Sequence, residues 1–372
     1  MDKFANTTPL PAFPLWEKLK KGNQLVSFDL EITARCNNNC RHCFINLPAD
    51  DAKAGSTEIP FAKIKDIVDQ SVRLGALWCL ITGGEPLLRE DFFDIYLYIK
   101  KKGLLTSVFT NAALITDKHI GFFRKYPPRD MEVSVYGVTK KTYERVTRKA
   151  GSFDAFTRGL KLLLEGGIKV RFKAMALRSN IDELPEIAEF CRSRTKDYFR
   201  FDPFLHLRVD GDEAKNRQIM LERLSPEQIV AIEKADPGRS SALKKNCNIL
   251  INNDYSHINC DHIIHCGAGE GSFSVSYDGF FRLCSSLCHP DCVYDLKKGS
   301  VAYAFKKFIP KVRDMRSDNK EFLSRCRKCP IINLCMWCPA NSHLETGHLD
   351  TPIEYFCEVA KARARSLDLS NG

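Results

Sequence analysis

Hydrophobic and polar positions follow two rhythms between Leu25 and Leu207. Short runs at 25–33, 78–81, 104–109, 131–136, 168–177 and 198–207 are apolar throughout or alternate with period two, the mark of strands. Between them the period lengthens. Residues 60–74 carry Ile64, Ile67, Val68 and Val72 on one helical face, and 91–102, 117–125, 153–165 and 184–193 also read as helices. Gly166-Gly167 closes the fourth of these helices. Strand and helix alternate six times at roughly 30-residue spacing, which calls for parallel strands and right-handed crossovers.

The expected fold class is α/β, a partial (β/α)6 TIM-like barrel left open on one side. Functional groups on such sheets gather at the C-terminal ends of the strands. Residues 1–24 read as a lead-in broken by Pro9, Pro11 and Pro14, 25–240 as the barrel, and 241–372 as a Cys-rich domain. A charged connector over 208–245, with a helix start at Ser225-Pro226-Glu227-Gln228, joins the two.

Composition narrows the classes. With 44% hydrophobic and 27% charged residues the chain is an ordinary globular one. No apolar run is long enough to span a bilayer, and the first residues lack a signal-peptide core, so a cytoplasmic protein without a membrane partner is expected. Sixteen Cys in that compartment point to metal or redox chemistry rather than disulfides. The formal charge is +10, yet no basic run interleaved with aromatics stands out, and Lys100-Lys101-Lys102 ends a helix, where cations suit the dipole. No nucleic-acid partner is expected.

The densest chemistry follows the first strand: Cys36-Asn37-Asn38-Asn39-Cys40-Arg41-His42-Cys43. A structural zinc site wants a fourth ligand nearby, and the next Cys is Cys79. A [4Fe–4S] cluster held by three thiolates leaves one iron open. After the second strand comes Thr82-Gly83-Gly84-Glu85-Pro86, after the third Thr110-Asn111, and on the fourth Ser134. A Gly-Gly pair alone is commonly a turn; beside the Cys loop it also lets backbone approach a ligand.

This C-x3-C-x2-C loop, with an aromatic ring before its third Cys and a Gly-Gly-Glu motif on the next strand, resembles the radical S-adenosylmethionine (SAM) superfamily. The resemblance implies a cluster on Cys36, Cys40 and Cys43 whose open iron chelates SAM. It also implies SAM contacts from Gly83, Gly84, Glu85 and Pro86, from Asn111 and from Ser134. Its carboxylate would meet an Arg, with Arg148 the choice and Arg145 the rival. Ala112 stands where many members have Gly.

The C-terminal third repeats the theme. Cys260-x5-Cys266 precedes Ser274-Val275-Ser276-Tyr277-Asp278-Gly279, read as a hairpin with an Asp-Gly turn. Cys284, then Cys326-x2-Cys329-x5-Cys335-x2-Cys338 and Cys357 follow. The run from Cys326 alone would suit zinc, but the whole pattern resembles the SPASM domain of radical SAM enzymes that modify peptides and proteins. That resemblance implies two auxiliary [4Fe–4S] clusters, three in the chain. One would sit on Cys326, Cys329, Cys335 and Cys357, the other on Cys260, Cys266, Cys284 and Cys338. The final two-residue gap is shorter than is usual in the family, and Cys288 and Cys292 are alternatives for the cluster using Cys284. Sulfatase-maturing members carry an Asp after the Cys matching Cys284, as a proposed base; here that position is Ser285. Cys79 and Cys191 fall in apolar patterns and read as core thiols. His262 and His265 read as residues that tune a cluster through outer contacts.

Together these imply an oxidoreductase that modifies a ribosomal peptide or protein, by cross-linking or side-chain oxidation, with a reductant such as flavodoxin or ferredoxin. About 24 residues precede the first strand, too few for the N-terminal peptide-recognition domain that peptide-specific members often carry, which leaves room for a separate recognition protein or for a small substrate. Oxidation or decarboxylation of a small metabolite such as a tetrapyrrole or sugar is the alternative, and a zinc-binding interaction protein a third.

Overall fold

The computed structural model describes residues 24–196, 199–241, 243 and 261–367. The lead-in, Cys247 and Cys260 lie outside those residues. Six parallel strands form the barrel wall: β1 (Ser27–Thr33), β2 (Trp78–Gly83), β3 (Leu105–Thr110), β4 (Asp130–Ser134), β5 (Val170–Met175) and β6 (Arg200–Asp202). They lie side by side in chain order. Helices α1 (Phe61–Arg73), α2 (Phe92–Lys101), α3 (Asp117–Lys125), α4 (Lys140–Thr147), α5 (Ser152–Glu165) and α6 (Leu184–Arg192) provide the crossovers. Each strand expected from the sequence is present. Helix α4 was not expected; it precedes α5 in the fourth crossover.

Alternation along the strands has a consequence that hydropathy alone did not reveal. On β1, Phe28, Leu30 and Ile32 are buried in the main hydrophobic core. The intervening Asp29 and Glu31 line a cavity inside the barrel. Glu132 and Ser134 on β4, Lys173 and Met175 on β5, and Asp202 on β6 line it too. The polar residues of these strands thus face an interior chamber, whereas a fully packed parallel sheet would be apolar on both faces.

Beyond the barrel, α7 (Glu213–Glu222) and α8 (Pro226–Ala235) form the connector. Ser225 caps α8 in a reciprocal capping box with Gln228. The C-terminal hairpin, β7 (Ser272–Val275) and β8 (Phe280–Arg282), turns at Gly279 with φ +88°. This hairpin does not stand apart. Strand β7 pairs in parallel with β1, and β8 pairs with β9 (Val293–Asp295), so one nine-stranded sheet runs through both halves of the chain. Phe28 of β1 stacks on Phe273 of β7, ring centroids 5.6 Å apart. Helices α9 (Pro339–Thr346) and α10 (Glu354–Ser366) follow. Arg363 of α10 and Glu233 of α8 form a buried ion pair, with Arg363 also donating to the Leu334 carbonyl at 2.8 Å.

Candidate functional site: a barrel mouth lined by three thiols

The three Cys of the first loop line the chamber, a cavity of about 340 Å³ at the C-terminal ends of the strands. Backbone ties hold the loop from both sides. Asn39 and Arg41 donate their N–H groups to Thr147 and Val146 carbonyls at 2.9 and 3.1 Å, anchoring it on the end of α4. Arg208, 1% exposed, donates through Nη1 to the Asn46 carbonyl and side chain and to the Cys43 carbonyl. Asp210 holds the other edge of that guanidinium.

Burial drives the thiols of Cys36 and Cys40 well above their usual range, reinforced by the neighbouring carboxylate of Glu85 for Cys36 and by the other loop thiols for Cys40. A thiolate triad is unstable there without a cationic partner. His42 is buried and held neutral by desolvation, its pKa lowered to about 3, and its ring lies 5.2 Å from that of Tyr136. Both amide atoms of Asn38 and Nδ1 of His42 are buried without a hydrogen-bond partner. Orphaned polar groups are rare in folded proteins and mark a place where something else binds.

Gly83 and Gly84 line the chamber, but their lack of a side chain is required by the protein's own backbone. A Cβ on Gly83 would sit 2.1 Å from the Thr33 carbonyl oxygen, and one on Gly84 2.3 Å from that of Arg35. Gly84 and Glu85 donate to those same carbonyls at 2.7 and 2.8 Å, stitching the motif to the root of the Cys loop. The Glu85 side chain turns into the wall and is fully buried, and Pro86 opens a short helical turn. Neither lines the chamber. Asn111 does; its amide donates to Asn37 Oδ1 at 2.8 Å and lies 3.8 Å from Cys36 Sγ. Ser134 lines it too.

Arg148 does not reach the chamber. It caps α4 in a left-handed conformation, φ +52°, is exposed, and donates to Gln218 Oε1 at 2.5 Å. Arg145 is also exposed and bonds the Ser179 carbonyl. The cation in the chamber is Lys173, on the strand beside Ser134. Helix α4 leads both Arg side chains outward, while the alternation of β5 aims Lys173 inward.

A second cavity, about 580 Å³, is lined by Cys266, Cys326, Cys329, Cys335, Cys338 and Cys357 together with Trp337 and Phe322. Burial pushes Cys326 up to about 11 and Cys335 up to about 12, with the other thiols of this group adding to the shift. Cys338 caps α9, accepting from Asn341 N, and is pushed up to about 11 by burial with Cys284 and Cys266 nearby. Cys292 is fully buried in the core, its thiol 3.8 Å from Met315 Sδ. Cys288 is partly buried beside Cys284. His265 lines the cavity, whereas His262 pairs with Asp314 at 3.1 Å. Cys79 and Cys191 are core thiols, 1% and 0% exposed.

Residues 30–191 match the family model of the radical SAM superfamily. They form a radical SAM domain. Within curated proteins, Fe-coproporphyrin III synthase of Methanosarcina barkeri is 30% identical over 156 residues, 42% of this chain and 38% of that protein. Mycofactocin maturase MftC of Mycolicibacterium smegmatis is 28% identical over 184 residues, 49% of this chain and 46% of that protein. The chain spans about half the length, or less, of these relatives. Among solved structures, SuiB of Streptococcus suis superposes with a TM-score of 0.64 at 16% identity, covering 94% of this chain and 81% of that one. The structure of anSMEcpe with bound AdoMet gives 0.63 at 14% identity, covering 93% and 95%. Both likenesses run through the barrel and the C-terminal region alike, and they establish the fold.

The radical SAM superfamily implies a [4Fe–4S] cluster and SAM, and the first cavity suits them. Its donors are three thiols with orphaned amide and imidazole groups beside them. Among the described residues no three His, Cys, Asp or Glu side chains close tightly enough around one point to hold a single ion. No described helix is long and apolar enough to cross a membrane. Sequence reading missed Glu31, Lys173 and Arg208. All three sit toward the C-terminal ends of barrel strands or just past one, so scanning every strand end for charged residues at alternate positions would have found them.

Proposed function

We propose that this chain is a radical SAM enzyme that oxidatively modifies a ribosomal peptide or protein. The observation that carries the reading is the shared chamber. Cys36, Cys40 and Cys43 line one side, and Ser285 and Ser286, next to Cys284 of the Cys-rich half, line it from the other. In this reading those three Cys hold the first cluster. Gly83, Gly84, Asn111 and Ser134, which line the chamber, meet SAM, with Lys173 as partner for its carboxylate. When bound, the cluster and SAM supply a 5′-deoxyadenosyl radical able to take hydrogen from an unactivated C–H bond. The chain's part is to hold, orient and exclude water.

The proposal includes two auxiliary clusters: one on Cys326, Cys329, Cys335 and Cys357, all lining the second cavity, and one on Cys266 and Cys338 of that cavity, Cys284 near Cys338, and Cys260, which lies outside the described residues. A chamber of about 340 Å³ lies at the small end of ligand pockets. SuiB, which shares the fold, has been solved bound to precursor peptide SuiA. A reductant such as flavodoxin or ferredoxin, and a separate recognition protein, complete the proposal.

The competing reading, tetrapyrrole or other small-metabolite oxidation, draws on the 30% identity to Fe-coproporphyrin III synthase. Anaerobically reconstituted enzyme with SAM, dithionite and candidate peptides, read by mass spectrometry, separates the two. Peptide mass loss upholds the proposal. Loss of hydrogen or CO2 from a metabolite with peptides untouched overturns it.

A further inference from the structure

Oxidative modification has to release a proton as well as an electron. The residue after Cys284 that could have taken it is a Ser here, not an Asp. The same chamber holds another carboxyl. Glu31 lines it from β1, 4% exposed, alongside Ser285 and Ser286. The other acids of the chamber are engaged: Asp29 accepts from Ser274 Oγ at 3.2 Å, Glu132 pairs with Arg200 at 3.0 Å, and Asp202 accepts from Phe204 N at 3.0 Å. The Glu31 side chain makes no hydrogen bond or ion pair among the described residues. Its charged and titratable surroundings are Arg282 on β8, Asp29 on its own strand, Asp278 in the hairpin turn and the Cys288 thiol beyond β8. Arg282 donates to the Ser285 carbonyl at 3.1 Å and leaves its Nε without a partner. A buried acid facing a reaction chamber with nothing to bond is costly to keep, which points to a role there.

We propose that Glu31 is the group that accepts the substrate's proton. The inference rests on the peptide-modification reading above. In the step, a substrate C–H bond breaks homolytically and the hydrogen atom leaves in 5′-deoxyadenosine. The adjacent heteroatom then gives its proton to the Glu31 carboxylate. One electron passes to an oxidised four-iron cluster of the C-terminal half as the new carbon–heteroatom bond forms. The substrate loses two hydrogens and two electrons in all. Burial pushes the Glu31 carboxyl up to about 7, with Arg282 opposing the shift, so it can take and release a proton at working pH.

The test has two arms. In the cluster-free chain, difference infrared spectra between wild type and Glu31→Gln should show a carboxyl band that disappears between pH 6 and 8, a window of about one pH unit either side of 7. A group that stays ionised, or stays protonated, through that window overturns the proposal whatever the substrate is. In the loaded enzyme, Glu31→Gln should lower the ratio of modified peptide to 5′-deoxyadenosine at least about 100-fold. Adding Ser285→Asp to that variant should restore part of the ratio, since position 285 faces the same chamber. An unchanged ratio in Glu31→Gln overturns the proposal. A wild-type enzyme that modifies no peptide sinks the functional reading instead, and the infrared arm still decides on Glu31.

Discussion

Glu85 Oε2 accepts the backbone N–H of Asn111 at 2.8 Å, joining the ends of β2 and β3. Its other oxygen takes the Thr110 hydroxyl at 2.9 Å and the Leu87 N–H at 3.2 Å. The acid of the Gly-Gly-Glu motif is therefore a clasp between strand ends, and Asn111, so placed, reaches Asn37 in the Cys loop. Glu85→Ala strands three donors and should cost roughly 3 kcal/mol in chemical denaturation. It should also lower iron bound at the first loop.

The same group gives a pH dependence. Burial pushes the Glu85 carboxyl up to about 7, opposed by its three hydrogen bonds. The folded chain thus keeps a proton that the unfolded chain releases near the ordinary value of 4.5. Stability is then highest below about 4.5, falls as pH rises through 7, and levels off above it. Glu31 adds a shift of the same sign. Melting of the cluster-free chain between pH 5 and 8 should show this decline, and Glu85→Gln should flatten it; a stability that rises over that range contradicts the assignment.

Arg208 sends its guanidinium to the carbonyls at the end of the Cys loop. Lysine offers one ammonium where a planar fork now binds. Arg208→Lys should release the loop and lower iron content by up to about four per chain, as Cys40→Ala should, while about eight remain in the C-terminal half. Iron and sulfide analysis after anaerobic reconstitution measures both.

Arg363 and Glu233 are 6% and 2% exposed at their side chains. Removing Arg363 leaves the buried Glu233 carboxylate with Arg239 alone, 2.8 Å away, so the cost falls toward the lower end of the roughly 3–5 kcal/mol that an unpaired buried charge carries. Arg363→Ala should show that loss in urea denaturation, and the double replacement by Met and Leu should recover much of it.

Cys292 and Cys284 lie eight residues apart and should behave differently. Cys292 packs in the core against Met315, so Cys292→Ala should cost about 1 kcal/mol with iron unchanged. Cys284→Ala should lose iron from the C-terminal half. Equal iron loss in both variants would make Cys292 a ligand.

The barrel was legible because its strands and helices differ in period and its loops fall where glycines and prolines stop them. The Cys loop was legible from spacing alone, since three thiols so close together have few other uses. The outward course of Arg148 was not legible, because nothing in the sequence tells which way a residue at a helix end will point. Lys173 was missed because Lys169, Arg171 and Lys173 alternate along one strand, and a row of cations looks like a solvent face. Ala112 shows a subtler limit: it holds φ +61° with its side chain fully buried, a conformation that usually selects Gly. The register of β7 against β1 links residues some 245 positions apart, and no local pattern encodes such a pairing.

That pairing bears on how the molecule can be handled. A fragment ending before Ser272 would strip β1 of its neighbour, baring a row of amides and carbonyls beside Phe28. Exposed edges of that kind recruit other chains. The excised catalytic half should therefore precipitate on expression, and its rescue should need the hairpin supplied in trans.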